Sequence, residues 1–343
     1  MTLATIKSAS RAQLYFLKRF SFHAAKWNVN TCQKHILSED DNNNNGLILP
    51  QSNKKCVKVA FIGLPNVGKS TLVNQLSRRS ICPASAKVHT TMHKADAVYI
   101  ENDTQIVFMD TPGLVSMREM KKYKLSKSFR DDPLISISEA DVIGIIQDVT
   151  NVYTRHKISN FVIDSLQNKR EDTSLLLILN KVDKIKKKTV LLDLTRLLTN
   201  SEIYPKFDDI FMISALTGDG IDDLRNYLLD SAKVTEWKYE DYDTNQNIES
   251  IIVETVRAKL MDALPFQMPY TIKLQMEQFG YNDDGGIDSA VLLICPKQSY
   301  VRTLLKRKGE KIKFIAFQVE KNLRSAFRKS VFVRLIVKQE EKK

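Results

Sequence analysis

Val57 to Ile62 (VKVAFI) is a β-prone run that leads straight into Gly63-Leu64-Pro65-Asn66-Val67-Gly68-Lys69-Ser70 and then into a helix-prone stretch, TLVNQL. A glycine-bounded loop between a strand and a helix gathers backbone N–H groups at the helix N-terminus, where the aligned peptide dipoles favour negative charge. The pattern predicts a phosphate cradle over Gly63, Leu64, Pro65, Asn66, Val67, Gly68, Lys69, Ser70 and Thr71. Lys69 would neutralise β and γ oxygens, and Ser70 would ligate Mg2+. A chain whose core begins this way is expected to be α/β, with a mostly parallel sheet and helices on both faces.

Later segments fit around the cradle. Gln105 to Met109 reads as a strand that delivers Asp110-Thr111-Pro112-Gly113. An acid at the carboxyl end of a neighbouring strand reaches the magnesium shell, and Gly113 can offer its N–H to a γ-phosphate. Ser174 to Leu179 (SLLLIL) delivers Asn180-Lys181-Val182-Asp183, and Asp209 to Ile213 delivers Ser214-Ala215-Leu216. The Asp183 carboxylate can accept from the ring N–H and exocyclic amine of guanine, partners that adenine lacks, so the motif selects GTP over ATP. Lys181 would lie along the base plane, and the backbone of residues 214–216 would donate to the guanine carbonyl. Thr90 and Thr91 stand between the first two motifs, and Thr91 is expected to complete the magnesium shell only when a γ-phosphate is present.

The net charge of +12 is unevenly spread over the 343 residues. Residues 1–38 hold six Lys or Arg and no acid, and residues 297–343 hold fifteen Lys or Arg against four Glu. The first segment also carries Ser8, Ser10 and Ser21 beside Leu3, Ile6, Leu14, Leu17 and Phe20, the composition of a mitochondrial import leader. A basic tail that touches nucleic acid is the alternative. Residues 39–54, with the run EDDNNNNG, read as a disordered spacer. No apolar run reaches the roughly 18 residues of a membrane helix. Cys32, Cys56, Cys82 and Cys295 are scattered, which fits a reducing compartment better than a disulfide or zinc framework. His89 and His93 stand four apart with no third ligand evident, so no metal site is expected there.

Residues 233–247 (KVTEWKYEDYDTNQN) show no period and read as a linker between domains at 55–232 and 248–338, with 339–343 a tail. In the second domain Ile248, Ile252, Val256, Leu260 and Leu264 form an apolar helical stripe. Tyr270 to Met276 and Val291 to Ile294 read as strands. A helix from Ser299 to Leu305, a turn at Lys306-Arg307-Lys308-Gly309, a helix to about Phe327 and a strand from Val331 to Val337 follow. Arg302, Lys306, Arg307, Lys308, Lys311 and Lys313 crowd around Gly309 and offer phosphate contacts. A solvated cationic face is the plainer reading of the same residues.

The ordered set GLPNVGKS, TT, DTPG, NKVD and SAL resembles the Era family of GTPases over nearly everything after residue 55. The resemblance implies a P-loop GTPase domain followed by a smaller α+β K-homology type II domain, whose α-β-β-α-α-β order the C-terminal elements match. In such a domain a GXXG turn clamps an RNA backbone. Here Lys306 replaces the first glycine, so phosphate affinity is expected to persist while base readout weakens. Leu114 follows the DTPG motif, so no glutamine orients the attacking water. Asn66 matches the asparagine with which related GTPases hold K+ against the phosphates, although it could equally tie the loop together. The implied catalytic set is Lys69, Asn66, Thr91, Asp110 and Gly113, with slow intrinsic turnover of GTP to GDP. The implied partner is small-subunit ribosomal RNA during subunit assembly. The leader makes this the mitochondrial subunit, in the matrix, with the protein monomeric off the ribosome. Two other readings compete: an RNA-binding chaperone whose nucleotide domain hydrolyses weakly or not at all, and a peripheral switch whose basic ends meet the anionic inner membrane.

Asp183→Asn is expected to lower GTP affinity by about a hundredfold or more and to raise affinity for xanthosine triphosphate, in competition against a fluorescent nucleotide. Unchanged preference for GTP would remove Asp183 from the base site.

Overall fold

The computed structural model describes residues 54–82, 95–110, 113–114, 128–200, 202–240, 247–265 and 267–340. The leader and nearly all of the spacer lie outside the described residues, as do Cys32, His89, Thr90, Thr91, His93, Thr111 and Pro112.

Period-2 alternation sets β1 (Lys55–Ile62) at the centre of a sheet. Val57, Val59 and Phe61 enter the core on one face, and Ala60 and Ile62 enter the core on the other. β1 lies between β3 (Thr104–Asp110) and β4 (Val142–Asp148) and is parallel to both. The order is β2-β3-β1-β4-β5-β6, where β2 (Ala95–Glu101) is antiparallel to β3 and the strands β5 (Ser174–Asn180) and β6 (Asp209–Ile213) are parallel to their neighbours. Parallel pairing requires crossovers. Helices α1 (Lys69–Ser77), α2 (Ser128–Glu139), α3 (Asn160–Ser165) and α4 (Thr189–Leu198) lie on them, and α5 (Ile221–Asp230) follows β6. This is the P-loop GTPase fold. Its parallel strands β1, β3, β5 and β6 all end at one edge, where open α/β sheets bind ligands.

The C-terminal part holds α6 (Ile248–Ala263), a four-residue helix α7 (Met268–Thr271), β8 (Lys273–Tyr281), β9 (Ile287–Cys295) and β10 (Val331–Gln339). The segment Gln298–Phe327 is two helices, α8 (residues 298–305) and α9 (residues 310–327), which meet at a kink where residues 306–309 leave helical geometry. β9 runs between β8, antiparallel, and β10, parallel. The stripe Ile252, Val256, Leu260 and Leu264 is buried as expected, while Ile248 only packs against its margin. Tyr270 corrects the expected strand: Pro269 near the helix start suits the first turn of α7, and the strand begins at Lys273.

Residues 233–247 also differ from the featureless linker expected of them. Lys233–Val234 is a short strand, β7, antiparallel to the start of β1. Beyond it the chain is fastened by side chains rather than by a strand ladder. The buried Gln105 carboxamide accepts from the amides of Lys238 (2.9 Å) and Tyr239 (3.1 Å) and donates to the Tyr239 carbonyl (2.8 Å). Lys238 Nζ and Tyr239 Oη donate to Asp96 Oδ2 at 2.6 and 2.7 Å, and Asp96 is only 1% exposed. Burial, and then the Asp96 carboxylate, raise the Tyr239 hydroxyl above its ordinary pKa and keep it a donor. Alternation is absent because this segment borrows partners from β2 and β3 and presents no face of its own.

The two sheets share one apolar core, which runs from Val59 and Phe61 through Ile252 and Val291 to Leu323. At its margin Arg79 Nε donates to the Ala326 carbonyl at 3.0 Å, and Ser80 Oγ donates to Ser325 Oγ at 3.4 Å. The end of the helix that starts at the phosphate cradle thus touches the end of α9.

Asp96→Ala would leave the Lys238 ammonium and Tyr239 hydroxyl without their shared acceptor, and it is expected to lower stability by about 2 kcal/mol in urea unfolding. An unchanged midpoint would mean that the strap is not fastened through Asp96.

Candidate functional site

Two glycines in the cradle are dictated by space. A Cβ on Gly63 would lie 2.7 Å from the Ile146 carbonyl oxygen. Gly68 has φ 102°, and a Cβ there would lie 2.4 Å from Asn180 Nδ2. Between them the loop turns back on Lys69, whose Nζ donates to the carbonyls of Leu64 (3.1 Å) and Gly63 (3.4 Å). Lys69 is 7% exposed, and burial lowers its pKa to about 8 against the opposing pull of Asp110. A desolvated ammonium of this kind gains most from an arriving phosphate.

Ser70 Oγ donates to Asp110 Oδ2 at 2.9 Å, so two of the three expected magnesium ligands already meet, the third, Thr91, lying outside the described residues. Asp110 is fully buried. Among the described residues no group of three or more His, Cys, Asp or Glu could hold a metal. Mg2+ commonly takes one or two protein oxygens and completes its shell with substrate phosphate and water, and a hydroxyl beside a carboxylate at the mouth of a phosphate cradle fits that habit. A Cβ on Gly113 would lie 3.0 Å from Lys69 Nζ and from Pro65, which sets this glycine tight against the cradle. The Leu114 amide donates to the Gly63 carbonyl at 3.1 Å, and its side chain packs into the core.

Asn180 joins three segments. Its Nδ2 donates to the Val67 carbonyl at 2.7 Å, and its Oδ1 accepts from the amides of Lys181 at 2.8 Å and Ala215 at 3.0 Å. Asn180 belongs to the motif expected to read guanine, and its side chain also fastens the cradle to residues 181–183 and 214–216, a positioning role that leaves its second amide N–H over. Lys181, at φ 69°, donates from Nζ to the Asn66 carbonyl (2.7 Å) and to Asp148 Oδ2 (2.6 Å). Asp183 Oδ1 accepts from Ser214 Oγ at 2.7 Å, and Ser214 Oγ accepts from the Thr217 amide at 3.2 Å. A carboxylate has about four acceptor positions, so Asp183 is oriented by Ser214 with capacity left for a base edge. Ala215 is buried and Leu216 is exposed.

Three supporting residues were not anticipated. Asp148 ends β4. Burial alone would raise its carboxyl, but hydrogen bonds from Lys181 and Thr150 outweigh burial and hold it below the ordinary range. Arg225 on α5 is 4% exposed and donates to the carbonyls of Leu76 and Gln75, closing the C-terminus of α1. Asn74 grips residue 82 through both its amide and its carbonyl, at 2.8 and 2.7 Å. Only Asp148 carried a usable signal, an acid at the carboxyl end of an apolar run; the other two act through long-range packing.

At the basic turn Lys306 has φ −53° and ψ 146°, backbone that any residue adopts. Replacing the first turn glycine by lysine therefore strains nothing. The left-handed residues are Arg307 (φ 54°), Lys308 (φ 53°) and Gly309 (φ 76°), of which only the last is the usual choice. Residues 306, 307 and 308 are exposed. Arg302 lies within about one helical turn of the kink on α8, and Lys311 and Lys313 lie in the first turn of α9. The cationic residues named from sequence thus do converge on one turn.

A family model described as a 50S ribosome-binding GTPase matches residues 58–181. The mitochondrial GTPase Era of Danio rerio is 31% identical, over 95% of this chain and 86% of its own. GTPase Era of Brucella suis is 32% identical, over 82% of this chain and 88% of its own. The crystal structure of Era in complex with MgGDPNP and nucleotides 1506–1542 of 16S ribosomal RNA superposes with a TM-score of 0.71 at 27% identity, covering 84% of this chain and 94% of that one. A variant of Aquifex aeolicus Era bound to GDP·AlF4− superposes with a TM-score of 0.70 at 28% identity, covering 83% and 94%.

Arriving phosphate must raise the Lys69 pKa from about 8, so nucleotide binding takes up a proton wherever the pH exceeds that value. GTP affinity is expected to be flat near pH 7 and to fall by up to about tenfold per pH unit above 8. Calorimetry in buffers of different ionisation enthalpy measures the uptake at pH 9, and zero uptake there would contradict the assignment.

Proposed function

The chain belongs to the Era family of GTPases, and on that premise we propose that it is a GTP-driven switch that grips small-subunit ribosomal RNA and assists assembly of the mitochondrial small ribosomal subunit. The observation that carries this reading is the Asn180 carboxamide, which locks the phosphate cradle to both guanine-reading segments.

In this reading Lys69 meets the β and γ oxygens of GTP, and Ser70 and Asp110 would hold Mg2+, with Thr91 joining them. Mg2+, when bound, neutralises charge on the β and γ oxygens. Gly113 turns its amide toward the γ-phosphate, and Asp183 reads the guanine edge. Leu114, 9% exposed and fastened to Gly63, cannot activate water. Hydrolysis then rests on positioning and charge alone, which makes intrinsic turnover slow. K+ beside Asn66 would add the charge that a glutamine-less site lacks. The K+ role of Asn66 rests on the family resemblance, and its carbonyl also accepts from Lys181 at 2.7 Å. Membership in a GTPase family sets aside the non-hydrolytic chaperone reading.

The RNA assignment draws support from the basic turn and from the Era structure crystallised with 16S ribosomal RNA. Mitochondrial placement draws support from the acid-free residues 1–38 and from the relatives of Danio rerio and Salmo salar named as mitochondrial Era. We place the protein in the matrix, monomeric off the ribosome. No helix among the described residues is long and apolar enough to cross a membrane, so contact with the inner membrane would be peripheral.

Crosslinking in cells, followed by sequencing of the bound fragments, is expected to return mitochondrial small-subunit ribosomal RNA; recovery of unrelated RNAs alone would overturn the reading. R307E/K308E is expected to weaken binding of that RNA at least tenfold and to flatten the slope of log affinity against log salt by about two. An unchanged slope would take the turn out of the interface.

A further inference from the structure

Helix α9 turns Ile312, Ile315, Val319 and Leu323 into the core, where the helix packs against α6 and β10. At 3.6 residues per turn the opposite side carries Phe314 and Phe317. They are 59% and 57% exposed, two large aromatic rings on the outward face of a helix whose inner face is complete. Residues three apart on a helix are neighbours, separated by about 4.5 Å along the axis, close to the roughly 3.4 Å rise per base along one strand of a nucleic-acid duplex.

The surroundings of the pair are cationic. Lys313, Lys321 and Arg324 share the exposed side of α9 with one acid, Glu310, and Arg324 leans on Glu320 at 3.2 Å. The turn Lys306-Arg307-Lys308 lies just before the first ring. A second copy of this chain would bring like charge against like, since residues 297–343 hold fifteen Lys or Arg against four Glu. Aromatic faces flanked by ammonium groups suit a polyanion whose bases are unpaired, because every base has a π-face to stack and every nucleotide a phosphate to neutralise. A duplex hides its base faces and could use only the charges.

We propose that the outer face of α9 is a second RNA contact, in which Phe314 and Phe317 stack on consecutive unpaired bases while Lys313 and Lys321 meet the adjoining phosphates. This rests on the RNA-binding reading above and extends it: the turn grips backbone, and the aromatic pair supplies the selectivity for single strands that a turn of three cations lacks. The strand would leave the kink and run along α9 away from the β8–β10 sheet.

The test uses the full chain, a fluorescently labelled single-stranded RNA and a fully paired duplex of the same sequence, read by anisotropy. F314S/F317S is expected to weaken single-strand binding tenfold or more, to weaken duplex binding far less, and to keep the salt slope, because no charge is removed. F314W/F317W is expected to retain single-strand affinity and to show tryptophan quenching on binding. A serine variant that binds single strands as tightly as wild type, while R307E/K308E still weakens both RNAs, overturns the aromatic contact and leaves the RNA reading standing. Failure of the wild-type chain to bind either RNA overturns both. Intact RNA affinity with lost co-purification of ribosomal proteins would make this face a protein contact and also overturn the inference.

Discussion

The Asn180 carboxamide donates to Val67 and accepts from Lys181 and Ala215, and the rest of the nucleotide site depends on those three bonds. Strands β1, β5 and β6 each end in an irregular segment, and nothing in a parallel ladder fixes how such segments sit beside one another. One buried amide satisfies a carbonyl and two N–H groups that would otherwise be stranded, each at a cost of about 1–3 kcal/mol. It also explains Gly68, since any side chain there would collide with the amide nitrogen. Lys181 and Asp148 add a second tie through the Asn66 carbonyl. Lys69, Ser70, Asp110 and Asp183 are therefore held in place before any ligand arrives, which is what catalysis by positioning requires.

The same sheet couples this site to the C-terminal part. Asp110 pairs in register with Ala95, and the next residue, Asp96, holds Lys238 and Tyr239 of the connecting strap. From the other side Arg79 and Ser80, just past α1, touch Ala326 and Ser325 at the end of α9. Residues 80 and 96, on either side of Thr90 and Thr91 in sequence, thus contact the end of α9 and the connecting strap respectively.

Much of the candidate nucleotide site was legible in the sequence because its chemistry is local: a glycine loop before a helix, an acid ending a strand, an asparagine next to a lysine with an aspartate two residues beyond. What was not legible is relational. The ties of Asn180 to Val67 and Ala215 join three segments far apart in sequence, and only the fold brings them together. The strap at 233–240 looked structureless because Gln105 and Asp96 supply its partners from more than 130 positions away. Tyr270 belongs to an alternating run that reads as a strand, and Pro269 beside it instead sets the first turn of α7. Lys306 replaces the first turn glycine without backbone strain, since its φ is −53°. The exposure of Phe314 and Phe317 is likewise set by which face of α9 packs inward.

The central claim is that guanine nucleotide state governs the grip on RNA, and it is tested most directly by the affinity of the full chain for a 3′ fragment of mitochondrial small-subunit ribosomal RNA, measured in parallel with Mg2+ and a non-hydrolysable GTP analogue and with Mg2+ and GDP. The expected result is binding at least fivefold tighter in the GTP-like state, the lower end of ordinary coupling between sites; equal affinity in the two states would contradict it.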